Sequence, residues 1–200
     1  MQIDSLVTAL DLIATFAFAI VGARIAASRG LDYGGIALIA TVASVSGGTL
    51  RNLFMGQRPP WILNSWLFAS IATAVLITVV AKQKKPVGRF LLSLDTFGLA
   101  VATASSANFA ATNGANVVSI VALGLVGGVT GGLLRDVLCQ VEPVLLHRET
   151  IGTSCLAGAL AYTGLHYLDF SEVISAIVGG LVIVLVREVS IKFEWHLPKI

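Results

Sequence analysis

Six polar residues stand within otherwise apolar runs of this sequence: Asp11, Arg51, Asn52, Asp95, Arg135 and Asp136. Most of them follow a double glycine. Gly47-Gly48 precedes Thr49, Leu50, Arg51 and Asn52, and Gly131-Gly132 precedes Leu133, Leu134, Arg135 and Asp136. A proline, Pro59 or Pro143, lies eight residues after each arginine. Charges in an apolar setting are costly alone and tolerable when paired or facing water. The chemistry on offer is therefore the pairing of charges inside an apolar setting. Catalysis is not expected, because no phosphate loop, nucleophile elbow or zinc spacing is present. His147, Arg148 and Glu149 cluster without the spacing of a metal site, and His166 and His196 read as interface or tail residues.

Glycine leaves helical geometry at little steric cost. In a membrane the backbone groups so freed must face protein or water. Glycine pairs that break their helices would line a polar passage, with Ser44, Ser46, Thr49 and Thr130 adding hydroxyls. The same residues also fit close helix packing, since Gly124, Gly128 and Gly132 stand four apart, as do Gly127 and Gly131. Spacing alone leaves both readings open. Their matched placement in two halves of the chain favours a kinked pore lining.

These residues must be held by membrane-spanning helices. Of the 200 residues 56% are hydrophobic and 12% charged, and the mean hydropathy is +0.89. Soluble domains carry about 25% charged residues. Only helices and closed barrels satisfy their backbone in hydrocarbon, and the apolar runs are too long and too unalternating for barrel strands of about 9–11 residues. Spans are expected at 5–24, 34–55, 62–81, 90–109, 116–139, 148–168 and 172–190. The turn signal from Ala111 to Asn116 divides an uncharged stretch too long for one crossing. Cys139 and Cys155 read as small buried hydrophobes. The acidic N-terminus carries no cleavable signal, and a net charge of +2 gives no reason to expect a nucleic-acid partner.

Sliding the chain against itself by 84 residues aligns Asp11 with Asp95, Gly30 with Gly114, Gly47-Gly48 with Gly131-Gly132, Arg51 with Arg135 and Pro59 with Pro143. Coincidences on polar and backbone-special residues mark a diverged repeat. Each copy holds three spans, and three is odd, so the second enters the membrane inverted. The expected fold is thus an all-α integral membrane protein with seven transmembrane helices, a 3+3 inverted repeat plus one extra helix. Residues 1–85 form the first repeat, 86–169 the second, and 170–200 the seventh helix with a short tail. Inverted repeats place a working site near the membrane midplane at their interface.

Eleven of the 13 lysines and arginines, Arg135 and Arg187 among them, fall on the side of the first, third and fifth connections and the C-terminus. The other side holds Arg51 and Arg58. The positive-inside rule puts the N-terminus outside and the C-terminus in the cytoplasm. The strongest cue is the run with Lys82, Lys84, Lys85 and Arg89. In this topology Asp11 and Arg51 share the outer half of the membrane, and Asp95 and Arg135 the inner half. An Asp–Arg pair at each end follows, extended by Asn52 and Asp136. The competing reading has the arginines snorkel to headgroups. Pro59 and Pro143 are expected to end their segments, and Trp61 and Trp66 to anchor at the outer interface.

The doubled Gly-Gly-x-Leu-Arg-(Asn or Asp) pattern with its following prolines, in a chain of three, three and one spans, resembles the trimeric intracellular cation channel (TRIC) family over its whole length. The resemblance implies a homotrimer with a pore in each subunit around the kinked second and fifth spans, conducting monovalent cations, chiefly potassium. It matches the family's glycine kink to Gly47, Gly48, Gly131 and Gly132. The long charged tail of animal members is absent, which favours a prokaryotic plasma-membrane protein. Related bacterial proteins have been linked to glycine uptake, so the alternative is a small-solute carrier using the same hinges. No cofactor is expected beyond permeant potassium or sodium and, at most, bound lipid. The expected partners are membrane lipid and other copies of the chain.

Overall fold

The computed structural model describes residues 5–81, 88–141 and 150–193. Lys82, Lys84, Lys85, Pro143, His147, Arg148, Glu149, His196 and Lys199 lie outside them. Among the described residues the chain forms eight helices: α1 (Ser5–Ser28), α2 (Tyr33–Phe54), α3 (Pro60–Leu63), α4 (Trp66–Val80), α5 (Arg89–Thr112), α6 (Val117–Leu138), α7 (Thr150–Tyr167) and α8 (Glu172–Lys192). Five of these, α1, α2, α5, α6 and α8, are long and apolar enough to cross a membrane. Large apolar side chains face outward, among them Leu76, Val80, Leu181 and Leu185, while Arg51, Asn52, Asp95, Arg135 and Asp136 are buried. This inside-out polarity is that of an all-helical, multi-pass membrane protein.

Local chemistry sets the ends of the helices, and it recurs at the 84-residue offset. Asp32 caps α2 by accepting from the Gly35 amide at 2.7 Å, and Asn116 caps α6 by accepting from Ser119 at 2.9 Å. After α1, Gly30 takes φ +78°; after α5, Gly114 takes φ +76°. Past α2, the Gln57 amide donates to Asn52 at 2.8 Å and Gly56 to Leu53 at 3.0 Å, with Gly56 at φ +67°. Past α6, Val141 donates to Asp136 at 2.9 Å and Gln140 to Val137 at 3.1 Å, with Gln140 at φ +51°. This is the crossed C-terminal bonding that a left-handed residue permits.

The expectation that Pro59 ends its segment is therefore corrected. The helix has already closed at Phe54 through Gly56, and Pro59 instead precedes α3, whose first residue is Pro60. The third expected span, 62–81, is also divided. Asn64 and Ser65 separate α3 from the 15-residue α4. At 1.5 Å per residue α4 covers roughly 22 Å, short of the roughly 30 Å of a hydrocarbon core.

In the packed molecule α5 is central, touching α1, α2, α6, α7 and α8, while α1 packs on α2, α4 and α5, and α2 on α6. Its sequence explains this position. Ala104, Ala107, Ala110 and the hydroxyls of Thr103, Ser105 and Ser106 are all buried, and small side chains let neighbouring backbones approach. Close approach continues outward, where a Cβ on Gly158 of α7 would collide with Ile183 and the Gly179 carbonyl of α8. Side-chain bonds tie distant ends together. Gln57, after α2, donates to Asn113 after α5 at 2.6 Å, and Arg29, after α1, donates to the Gln140 carbonyl after α6 at 3.4 Å.

Candidate functional site

The charges expected to pair do meet. Arg51 on α2 donates to both carboxylate oxygens of Asp11 on α1, Nη1 to Oδ1 at 3.0 Å and Nη2 to Oδ2 at 2.9 Å. Its Nε donates to Asn52 Oδ1 at 2.9 Å, and its guanidinium carbon lies 4.3 Å from the Phe109 ring centre. Asn52 in turn donates to the Arg58 carbonyl at 2.7 Å. Ser105 of α5, which the sequence did not single out, donates to Asp11 Oδ1 and accepts from Arg51 Nη1 at 3.1 Å. With 1% of its surface exposed, Arg51 is not a headgroup anchor.

At the other end Arg135 of α6, 3% exposed, donates from Nη1 to Asp95 Oδ1 of α5 and from Nε to Asp136 Oδ1 at 2.8 Å. A third arginine joins this cluster. Arg187 Nη2 of α8 stands 3.7 Å from Asp95 Oδ2, and Arg187 is 2% exposed. The topological reading counted Arg187 among cytoplasmic loop charges. Its position inside the apolar run 172–190 was the available signal that it needs a buried partner.

Neither glycine pair interrupts its helix, for α2 and α6 run unbroken through them. A Cβ on Gly47 would collide with the carbonyl oxygen of Gly127, and one on Gly131 with that of Ala43, so α2 and α6 touch backbone to backbone. Gly127 and Gly128 similarly leave room for Ser106 and Thr103 of α5. Gly48 faces Pro60 Cγ, 3.3 Å from where its Cβ would lie, and Gly132 faces Arg135 Nη2 at 3.6 Å. Packing thus explains Gly47 and Gly131 outright; Gly48 sits tightly against the Pro60 ring, and only Gly132 has ordinary contact distance to spare.

Three cavities lie along α1: the first against α2, α4 and α5, the second reaching α6 as well, and the third against α5 and α6. The first, about 210 Å³, is lined by Val7, Asp11, Arg51, Asn52, Phe109 and Asn113. The second, about 30 Å³, is lined by Ala14, Phe18, Ser44, Gly47, Gly48 and Trp61, with Gly127 and Gly131 on the far wall. The third, about 260 Å³, is lined by Val21, Ile25, Leu92, Asp95, Arg135 and Asp136. Progress along α1 from Val7 to Ile25 matches progress along α5 from Phe109 back to Leu92, so these helices run antiparallel. The first two cavities share Asp11 and Arg51. The middle one has room for about one water.

Of the hydroxyls singled out, Ser44 lines the middle cavity, bonding back to Ala40 at 2.7 Å. Ser46, Thr49, Thr130 and Gly132 line none of the three cavities. Thr49 bonds to the Val45 carbonyl at 2.6 Å and Thr130 to that of Val126, each along its own helix. The Ser46 hydroxyl is buried and has no hydrogen-bond partner among the described residues. Trp61 is a further correction. Its indole donates to Thr49 at 3.1 Å and its ring lines the middle cavity, whereas Trp66 is 73% exposed as an interfacial anchor would be. Among the described residues no group of three or more His, Cys, Asp or Glu could hold a metal ion.

Comparison with known proteins agrees with this architecture. A family model described as Glycine transporter matches the chain twice, over residues 8–84 and 92–167. The inner membrane protein YadS of Escherichia coli K12, of the UPF0126 group, is 31% identical over 191 residues, covering 94% of this chain and 92% of that protein. A crystal structure of the TRIC trimeric intracellular cation channel orthologue from Rhodobacter sphaeroides superposes with a TM-score of 0.87 at 29% identity, over 96% of this chain and all of that one. A structure described as the basis for conductance through TRIC cation channels gives a TM-score of 0.83 at 30% identity, over 96% of each chain. With these matches spanning nearly its whole length, the chain belongs to the TRIC family as a prokaryotic member.

Proposed function

We propose that this protein is a passive channel for monovalent cations, chiefly potassium, with one pathway in each subunit of a homotrimer in the cell's inner membrane. The observation that carries this reading is the set of three cavities spaced along α1, wide at the Asp11–Arg51 and Asp95–Arg135 ends and narrow where α2 and α6 touch at their glycines. Each wide end presents an arginine already neutralised by a carboxylate, so neither guanidinium repels a cation as a free charge would. Solved relatives of closely similar fold are described as cation channels.

In this reading Gly47, Gly48, Gly131 and Ser44 line the narrow segment, and about 30 Å³ there makes the conformation a closed one. Opening requires α2 or α6 to bend, with Gly48 and Gly132 as the hinges; a Cβ on Gly132 would meet only the end of the Arg135 side chain at 3.6 Å, whereas one on Gly48 would press on the Pro60 ring at 3.3 Å. Asp11 with Arg51 and Asn52, and Asp95 with Arg135 and Asp136, are the two gates. The antiparallel course of α1 and α5, the doubled family match and the caps that recur 84 residues apart support two three-span repeats inserted in opposite senses, followed by α8. The N-terminus then lies outside and the C-terminus in the cytoplasm.

A second reading, a carrier for small solutes such as glycine, is favoured by the description of the matching family model. Purified protein in planar bilayers and in liposomes decides between them. A channel gives unitary potassium currents. Saturable glycine uptake without unitary steps would replace this proposal with the carrier.

A further inference from the structure

The two charge clusters occupy matching positions, and they are not built alike. Asp11 gives both carboxylate oxygens to Arg51, whereas Asp95 gives only Oδ1 to Arg135. The remaining oxygen, Asp95 Oδ2, faces Arg187 Nη2 at 3.7 Å, just beyond hydrogen-bond reach. Arg187 is buried, and its Nε and Nη1 have no hydrogen-bond partner among the described residues. Next to Arg51 stands the neutral Asn52; next to Arg135 stands Asp136, bonded to Arg135 Nε. Among the buried described residues, the end at Arg51 thus holds one carboxylate and one guanidinium and the end at Arg135 two of each, with the exposed Arg29 at the edge of the same cavity.

This composition has a consequence for separating the helices. Moving Arg51 away from Asp11 would strand a cation on α2 and an anion on α1, each poorly solvated. Moving Arg135 away from Asp95 strands nothing if Arg187 takes Asp95. Helix α6 then carries Arg135 with Asp136 as one neutral pair, while α5 and α8 keep Asp95 with Arg187 as another. Stranding one member of a buried pair is the large cost in such a rearrangement, and the end at Arg135 is built to avoid it.

From this difference we infer that Arg187 is a positioning residue for gating: it donates to Asp95 when α6 swings away, making the end at Arg135 the moving gate and the Asp11–Arg51 end the fixed one. The inference rests on the channel reading above, but the motion itself is measurable without ion flux.

The test compares the wild type with Arg187→Gln, Arg187→Lys and the double variant Arg187→Gln with Asp136→Asn. The double variant gives the moving end the composition of the fixed end and keeps the cluster neutral, so it remains informative if Arg187→Gln alone fails to fold. In planar bilayers the open probability of the double variant is expected to fall by at least about tenfold, because opening now strands Asp95 and Arg135. Arg187→Lys, which preserves the positive charge, is expected to retain most of it. Spin labels at Phe90 and Leu138, both exposed at the facing ends of α5 and α6, report the motion in a background with Cys139 and Cys155 replaced by serine. Two distance populations are expected in the wild type and only the shorter in the double variant. An unchanged open probability in the double variant, or one unshifted distance population in both proteins, overturns the inference. Absence of unitary current from the wild type with two populations still present would overturn the channel reading and leave the exchange standing.

Discussion

Arg51 depends on a single carboxylate, and that dependence makes a sharp prediction at the scale of one residue. Asp11 accepts from two guanidinium nitrogens and from Ser105. Asp11→Asn leaves the guanidinium buried with a neutral partner, and loss of one member of such a pair costs about 3–5 kcal/mol. Adding Arg51→Gln removes the stranded cation, so the double variant is expected to be more stable than Asp11→Asn alone. Denaturant titration in detergent, run as a double-mutant cycle, should give a coupling of about 0.5–3 kcal/mol. Additive effects would mean that the two residues do not act as a pair. Ser105→Ala should cost about 1.5–3 kcal/mol through the lost hydrogen bonds to Asp11 and Arg51.

At the scale of the element, the two adjacent glycines of α2 are expected to answer differently to the same change. Gly47→Leu drives a side chain into the Gly127 carbonyl and should prevent α2 and α6 from packing, seen as loss of folded protein on size-exclusion chromatography. Gly48→Leu points at Pro60 and into the middle cavity, and should yield folded protein with conduction abolished. Equal folding and equal currents from both variants would contradict the contact. Helix ends offer a second pair of opposite outcomes. Gly56→Ala, at φ +67°, should destabilise by about 1 kcal/mol. Gln140→Gly, at φ +51°, should stabilise by about 0.5 kcal/mol, strain relief exceeding the added chain entropy. Thermal unfolding in detergent measures both.

For the whole molecule the decisive property is how its two halves sit in the membrane. The proposed inverted arrangement puts Arg58 and Asn113 outside, and Arg29 and Gly88 in the cytoplasm. The bonds from Gln57 to Asn113 and from Arg29 to the Gln140 carbonyl place the corresponding loops at common ends. Single cysteines at Arg58 and Asn113 should react with an impermeant thiol reagent added to intact cells, and those at Arg29 and Gly88 only after lysis. Reaction of Arg29 and Gly88 from opposite sides would refute the inversion, and a wholly reversed pattern would refute the orientation.

Much of this was legible in the chain because a membrane leaves few alternatives. Apolar runs of about 20 residues must be helices, and α1, α2, α5, α6 and α8 lie close to where the runs placed them. Charges within such runs must find partners, and the topology that puts Asp11 with Arg51 in one half of the membrane and Asp95 with Arg135 in the other points to both pairs. What depends on which face of a helix meets which neighbour was not legible. Glycine spacing is the same for a hinge and for a close contact, and only the approach of α2 to α6 assigns Gly47 and Gly131 to contact. Pro59 looked like a helix end, but Gly56 closes the helix first through its left-handed backbone. Arg187 read as one more cytoplasmic charge, because Asp95, which it faces, lies 92 residues away in a repeat to which α8 does not belong. Hydropathy and self-similarity are properties of the sequence, so the sequence determined spans and pairings; side-chain direction and inter-helix distance exist only once the helices pack, and tertiary structure alone decided them.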